Sequence, residues 1–174
     1  TTYNWSQMPN SVNSANTAVA TLMYHCGVGV EMNYGVAATG GSSTNSLDVV
    51  ANALKEYFSY ASSTQFVERE SYSNYQWIQM MKSELDASRP MEYGRIGQGG
   101  GHAFVCDGYD NNDYFHFNWG WSGYYDGYFT IDNLNPGTGG TGSGTSNYNY
   151  YQMAVIGAVP DNSGGGGGGG SGAG

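Results

Sequence analysis

The chain has 174 residues, enough for one domain with its own core. Its net charge of -9, from 5 basic and 14 acidic residues, argues against nucleic acid or an anionic membrane as partner, since both repel an acidic surface. Only 11% of residues are charged, whereas Tyr (16) and Gly (29) are plentiful, a mix suited to a rigid, loop-rich extracellular protein rather than a disordered one. No apolar run reaches the length of a membrane span.

The first residues, Thr1-Thr2-Tyr3-Asn4-Trp5, carry neither Met nor a leader and read as the interior of a longer protein. Val19, Leu22, Met23 and Cys26 follow helical spacing, with Gly27 as the expected stop. A second helix is predicted through Leu47, Val50, Ala51, Leu54 and Phe58, entered from the Ser/Thr/Asn cluster at 42–46. Ser73 with Gln76 forms a capping-box signature for a third, whose stripe is Ile78, Met81 and Leu85 before Pro90. Beyond Pro90 the period becomes two. Strands are expected at 91–93, 102–108, 114–118, 127–131 and 153–156, with a Gly/Ser/Thr/Asn loop at 135–149. Helices followed by strands give an α+β class. The glycine-rich end, 161–174, reads as a flexible tail or linker, leaving 1–160 to fold.

The densest chemical signal is Gly99-Gly100-Gly101-His102, followed by Asn118-Trp119-Gly120-Trp121. Glycines before a histidine allow close approach of another backbone, and a histidine at a strand mouth is placed to act as a base. A two-residue turn at Asn111-Asn112 makes paired residues sum to 223, putting His102 opposite Trp121; a bulge would slide Asn118 towards it. An amide there could fix the imidazole tautomer. The same residues also fit a turn and a core plug.

The segments GGHAFVCDGYD and FHFNWGWSGYYDGYFTIDNLNP resemble the C-terminal half of streptopain-like cysteine peptidases, a papain-like family. Tyr3-Asn4-Trp5, Leu22-Met23, Met32-Asn33-Tyr34-Gly35 and Tyr151-Gln152-Met153-Ala154-Val155 extend the resemblance over most of residues 3–160. It implies a partial papain-like fold, a peptide or protein substrate, secretion as a bacterial zymogen and a taste for apolar side chains at P2. His102 would be the catalytic base and Asn118 its orienting partner. Trp119 would shelter their bond, and Gly100 and Gly101 would line the substrate-binding strand. No metal or cofactor is implied.

The nucleophilic cysteine of that family lies upstream of everything here. Cys26 sits at a helix C-terminus, where the dipole opposes a thiolate, and on the apolar stripe, which reads as core. Cys106 is four residues from His102 along one strand, roughly 13 Å at about 3.3 Å per residue. The expected partner is therefore an N-terminal segment carrying the nucleophile, and this chain alone is expected to be inactive. A Cys26–Cys106 disulfide stays open on sequence. His25 reads as a solvated helix-end residue, and His116 as packed or as support for Asn118. Two other readings stand beside the enzyme: a peptide-binding pseudoenzyme, and an extracellular glycan-binding or adhesion domain in which the Trp pair stacks on sugar.

Overall fold

The structure, a computed structural model, describes residues 1–36, 38, 41–97, 100–136 and 148–162. Among these residues three α-helices, α1 (Thr17–Gly29), α2 (Leu47–Tyr57) and α3 (Asn74–Asp86), flank an antiparallel sheet. Its strands are β1 (Gln65–Glu68), β2 (Met91–Gly97), β3 (Gly100–Tyr109), β4 (Phe115–Asn118), β5 (Gly127–Phe129) and β6 (Gln152–Ile156), in the order β1-β6-β2-β3-β4-β5. The strand β1, not anticipated from sequence, is a four-residue edge piece with one buried side chain, too short to show a period.

Local chemistry explains the helix ends. Asn16 and Ser46 accept from backbone N–H groups at the starts of α1 and α2. Ser73 and Gln76 form the reciprocal capping box of α3. Gly27 does not stop α1 but lies within it, buried. Its missing side chain makes room for Tyr34, whose hydroxyl would sit 1.8 Å from a Cβ there.

Alternation along the strands sends two sets of side chains to opposite faces. Met91, Tyr93, Phe104, Cys106, Phe115 and Phe117 point to one face, where Trp77 and Met81 of α3 close the core. A polar chain crosses that core: the Trp77 indole donates to Tyr93 Oη at 3.0 Å, Tyr93 donates to Gln152, and the Gln152 amide donates to the Ile131 carbonyl at 2.7 Å. Each side-chain polar group along this chain of hydrogen bonds has a partner, which offsets the cost of burying it. On the opposite face α2 packs over β1 and β6, with α1 beside it.

The β3–β4 hairpin departs from the two-residue turn. Asp110 N donates to the Tyr114 carbonyl at 2.8 Å across a three-residue loop, with Asp113 left-handed at φ 63°. Asp110 Oδ1 holds this loop by accepting from Asn112 N and Tyr114 N. A bulge at Asp107 then restores the register, so that Val105 still faces Asn118.

One buried carboxylate ties the helix layer to the sheet. Glu84 accepts from Arg89 at 2.7 and 2.9 Å and from Gly157 N at 2.9 Å. The Arg89 hydrogen bonds, and then that of Gly157, hold its pKa below the ordinary carboxylate value of 4.5, against a burial effect that raises it. A depressed folded pKa gives stability present above the unfolded value and lost as pH falls through the folded one. We therefore expect Glu84→Gln to cost about 2–4 kcal/mol at pH 7. In urea melts the gap between variant and wild type should narrow at pH 3; a gap that stays constant with pH would contradict this account.

Candidate active site

The histidine singled out from sequence stands on β3 where the sheet meets a groove of about 670 Å³. Leu47, Val50 and Leu54 of α2, Met23 and Cys26 of α1 and Ala103 of β3 give the groove an apolar wall. Two residues of the α1 stripe, Met23 and Cys26, line this space; Met23 is 65% exposed and Cys26 is exposed. The spacing identified an apolar face correctly, but amphipathicity does not say what covers it.

His102 is half-buried among aromatic rings. Trp121 stacks on it, with centroids 5.1 Å apart at 20°, and Phe104 and Tyr148 each lie 5.6 Å away. Its Nε2 is 2.9 Å from the Trp119 carbonyl oxygen. A carbonyl only accepts, so in the neutral ring Nε2 carries the proton and Nδ1 keeps the lone pair. Burial pushes the imidazole pKa down, and the Trp119 carbonyl partly counters it. The ring is thus a fixed, neutral base at neutral pH.

Trp119 is itself clamped. Its N–H donates to Asp126 Oδ1 at 2.9 Å and its indole to the Tyr125 carbonyl at 3.0 Å, while its side chain is fully buried against Phe104. Asn118 is exposed, pairs with Val105 three residues beyond His102, and accepts from Gly120 N at 2.9 Å. It therefore braces the turn that carries the Trp119 carbonyl, and that carbonyl, not the Asn118 amide, contacts the ring. The reason is register: residues 102 and 105 point to opposite faces. No residue letter marks a backbone acceptor. Trp121, expected opposite His102, stacks on the ring, although β4 ends at Asn118 and the β3–β4 ladder does not reach it.

Gly100 and Gly101 begin β3 opposite Gly97 and Ile96, and Gly101 is exposed at the groove. Gly99 and residues 137–147 of the expected Gly/Ser/Thr/Asn loop lie outside the described residues. Trp119 and Trp121 are 0% and 6% exposed, so neither offers a free face to a sugar.

Neither thiol is bonded to His102 among the described residues. Cys106 is fully buried on the core face, and burial drives its pKa far above the ordinary thiol value. Cys26, exposed but partly desolvated by the groove wall, is raised as well, by that desolvation and then by Glu92. The two cysteines are free and occupy opposite faces of the sheet, so they do not pair. His25 Nδ1 lies 3.0 Å from Tyr3 Oη, and His116 pairs with Asp107 of the bulge. Among the described residues no three His, Cys, Asp or Glu side chains converge as metal ligands.

Comparison with known proteins adds the context of this arrangement. Streptopain of Streptococcus pyogenes is 38% identical over 163 residues, covering 91% of this chain and 40% of its own length. The thiol protease/hemagglutinin PrtT of Porphyromonas gingivalis is 40% identical over 164 residues, 91% of this chain and 18% of that protein. The active interpain A cysteine protease of Prevotella intermedia superposes with a TM-score of 0.76 at 38% identity, covering 89% of this chain and 63% of that one. The chain thus spans well under half the length of the curated relatives it matches. Its α+β architecture is that of the papain-like cysteine proteases. Over residues 1–129 it matches the Peptidase C10 family, and it belongs to that family.

Proposed function

We propose that this chain supplies the general acid–base part of a cysteine endopeptidase site, with the nucleophile carried by a segment that occupies the groove beside His102. The observation carrying this reading is the imidazole itself. Nε2 is committed to the Trp119 carbonyl, Nδ1 is left as the base, and an apolar groove with no bonded thiol opens beside it.

In this mechanism Nδ1 takes the proton of the incoming thiol, and the thiolate attacks the peptide carbonyl. As the tetrahedral intermediate collapses, the C–N bond breaks and the imidazolium returns the proton to the leaving amine. Water then gives a proton to Nδ1 and attacks the thioester, releasing the acid and the thiol. The Trp119 carbonyl fixes the tautomer throughout. Asn118 keeps that carbonyl in place through Gly120, and Trp119 and Trp121 exclude water from the Nε2 bond. Gly100 and Gly101 present a backbone edge with no side chain to obstruct a substrate peptide. The low charge and high tyrosine content fit an enzyme working outside the cell, and a peptide or protein is the substrate class the family supports.

The chain by itself is expected to be inactive. These 174 residues should not cleave casein above a no-enzyme control, whereas the complete polypeptide should turn over and be inactivated stoichiometrically by a thiol-directed epoxide. Epoxide labelling of Cys26 or Cys106 with accompanying turnover by the isolated chain would place the nucleophile inside it. A complete polypeptide that binds peptide but never cleaves it would make this a pseudoenzyme.

A further inference from the structure

Between Trp119 and β5 the chain turns back on itself over residues 120–126. Gly120, Ser122, Gly123 and Tyr125 all have positive φ there, at 74°, 57°, 84° and 63°. Ser122 and Tyr125 are not glycines, so the backbone is held in a region that side chains disfavour. The loop gains little packing in return, because residues 122–125 are exposed. What it delivers inward is a pair of acceptors. The Tyr125 carbonyl takes the Trp119 indole N–H at 3.0 Å, and Asp126 Oδ1 takes the Trp119 main-chain N–H at 2.9 Å. Asp126 is half-buried and forms no ion pair among the described residues.

We propose that Asp126 is a positioning residue for His102, acting through the Trp119 main chain. This deepens the reading of His102 as the acid–base group and rests on it. The direction of a carbonyl is set by the peptide units on either side of its residue. The unit carrying the Trp119 oxygen has its N–H, that of Gly120, on Asn118 Oδ1 at 2.9 Å. The unit before it has its N–H on Asp126. With both units pinned, Trp119 cannot swing its oxygen away from Nε2, which it meets at 2.9 Å. Freeing the Trp119 N–H lets the first unit turn, and the oxygen moves with it. The imidazole then loses the acceptor that selects its Nε2–H form, and Nδ1 is no longer a fixed lone pair. Burial and the Trp119 carbonyl are the influences on the imidazole, and the Asp126 charge is not among them. The place of the Asp126 oxygen is therefore what counts.

The test uses the complete polypeptide carrying Asp126→Asn, Asp126→Glu or Asp126→Ala. The Asn variant keeps an oxygen in place without the charge. The Glu variant keeps the charge and displaces the oxygen by a methylene, and the Ala variant removes the acceptor. The expected kcat of the Asn variant is close to wild type, with the Glu and Ala variants lower by about 10- to 100-fold and KM within about twofold throughout. Histidine nitrogen NMR spectra, with His102→Gln to assign the signal, should show Nε2–H as the sole neutral tautomer in wild type and the Asn variant. The Glu and Ala variants should show a mixture with the Nδ1–H form. A purely structural part for Asp126 would lower the melting temperature and leave that ratio unchanged. If the Ala variant does not fold, the contrast between Asn and Glu decides alone. Wild-type kcat in the Glu variant, lost activity with an unchanged tautomer, or an inactive Asn variant beside an active Glu variant would each overturn the proposal. A complete polypeptide that shows the tautomer changes and never cleaves peptide would leave the positioning intact and overturn the acid–base reading instead.

Discussion

Replacing His102 by Ala in the complete enzyme should lower kcat/KM by on the order of 10³- to 10⁶-fold, with little change in melting temperature. Among the described residues lining the groove, the imidazole alone combines a free lone pair with a fixed tautomer, and in the proposed mechanism it is the group that protonates the leaving amine. The same measurement on Asn118→Ala should show a loss of only about tenfold. Its amide holds Gly120 N at 2.9 Å, whereas the acceptor at the ring is a main-chain oxygen that no side-chain substitution removes. Since Asn118 contacts the turn and not the substrate, its effect should fall on kcat and leave KM nearly unchanged. Near-normal turnover by His102→Ala, with loss in His116→Ala, would mean that the wrong histidine has been assigned.

The largest effect on stability is expected at Gly157, just beyond β6. Its φ is 67°, and a Cβ there would lie 2.4 Å from the Ser63 carbonyl oxygen, a backbone atom that cannot step aside. The same residue donates to Glu84 through its N–H and accepts from Ser63 Oγ and Thr64 Oγ1 through its carbonyl. Gly157→Ala should therefore destabilise by about 3–5 kcal/mol, a large part of the roughly 5–15 kcal/mol that holds a domain together. Gly120→Ala separates the two causes. Gly120 has φ 74° but open space around it, so only backbone strain applies, about 1 kcal/mol. Urea unfolding of both variants tests this: similar losses at the two positions would mean that the close approach at Ser63 is relieved by a small shift.

These sites show what a linear reading can and cannot recover. The capping box at Ser73, the apolar period of α2 and the alternation beyond Pro90 are local, and each predicted element appears within a few residues of its expected place. The pairing of Val105 with Asn118 also agrees with the sum of 223, although two departures produce it, a longer loop and a bulge. What escaped are features with no local signature. The Trp119 carbonyl is invisible because every residue has one. Glu84 was unremarkable because a carboxylate in an amphipathic pattern is assigned to solvent, and only tertiary packing buries it. Cys26 reads as core from its place on the stripe, because hydrophobic spacing identifies a face and not its cover.

The bulge at Asp107 also bears on how this hairpin tolerates changes in length. Ten residues separate Cys106 from Phe117, both turned to the core, and the three-residue loop needs only nine of them. Asp107 is the surplus. Removing it would leave Cys106 facing Phe117, Gly108 facing His116 and Tyr109 facing Phe115, with each aromatic still on its own side. A one-residue deletion inside a strand ordinarily inverts everything beyond it. Here the chain already contains the residue whose loss would straighten the ladder, so a shorter hairpin is reachable in one step without passing through a misfolded intermediate sequence.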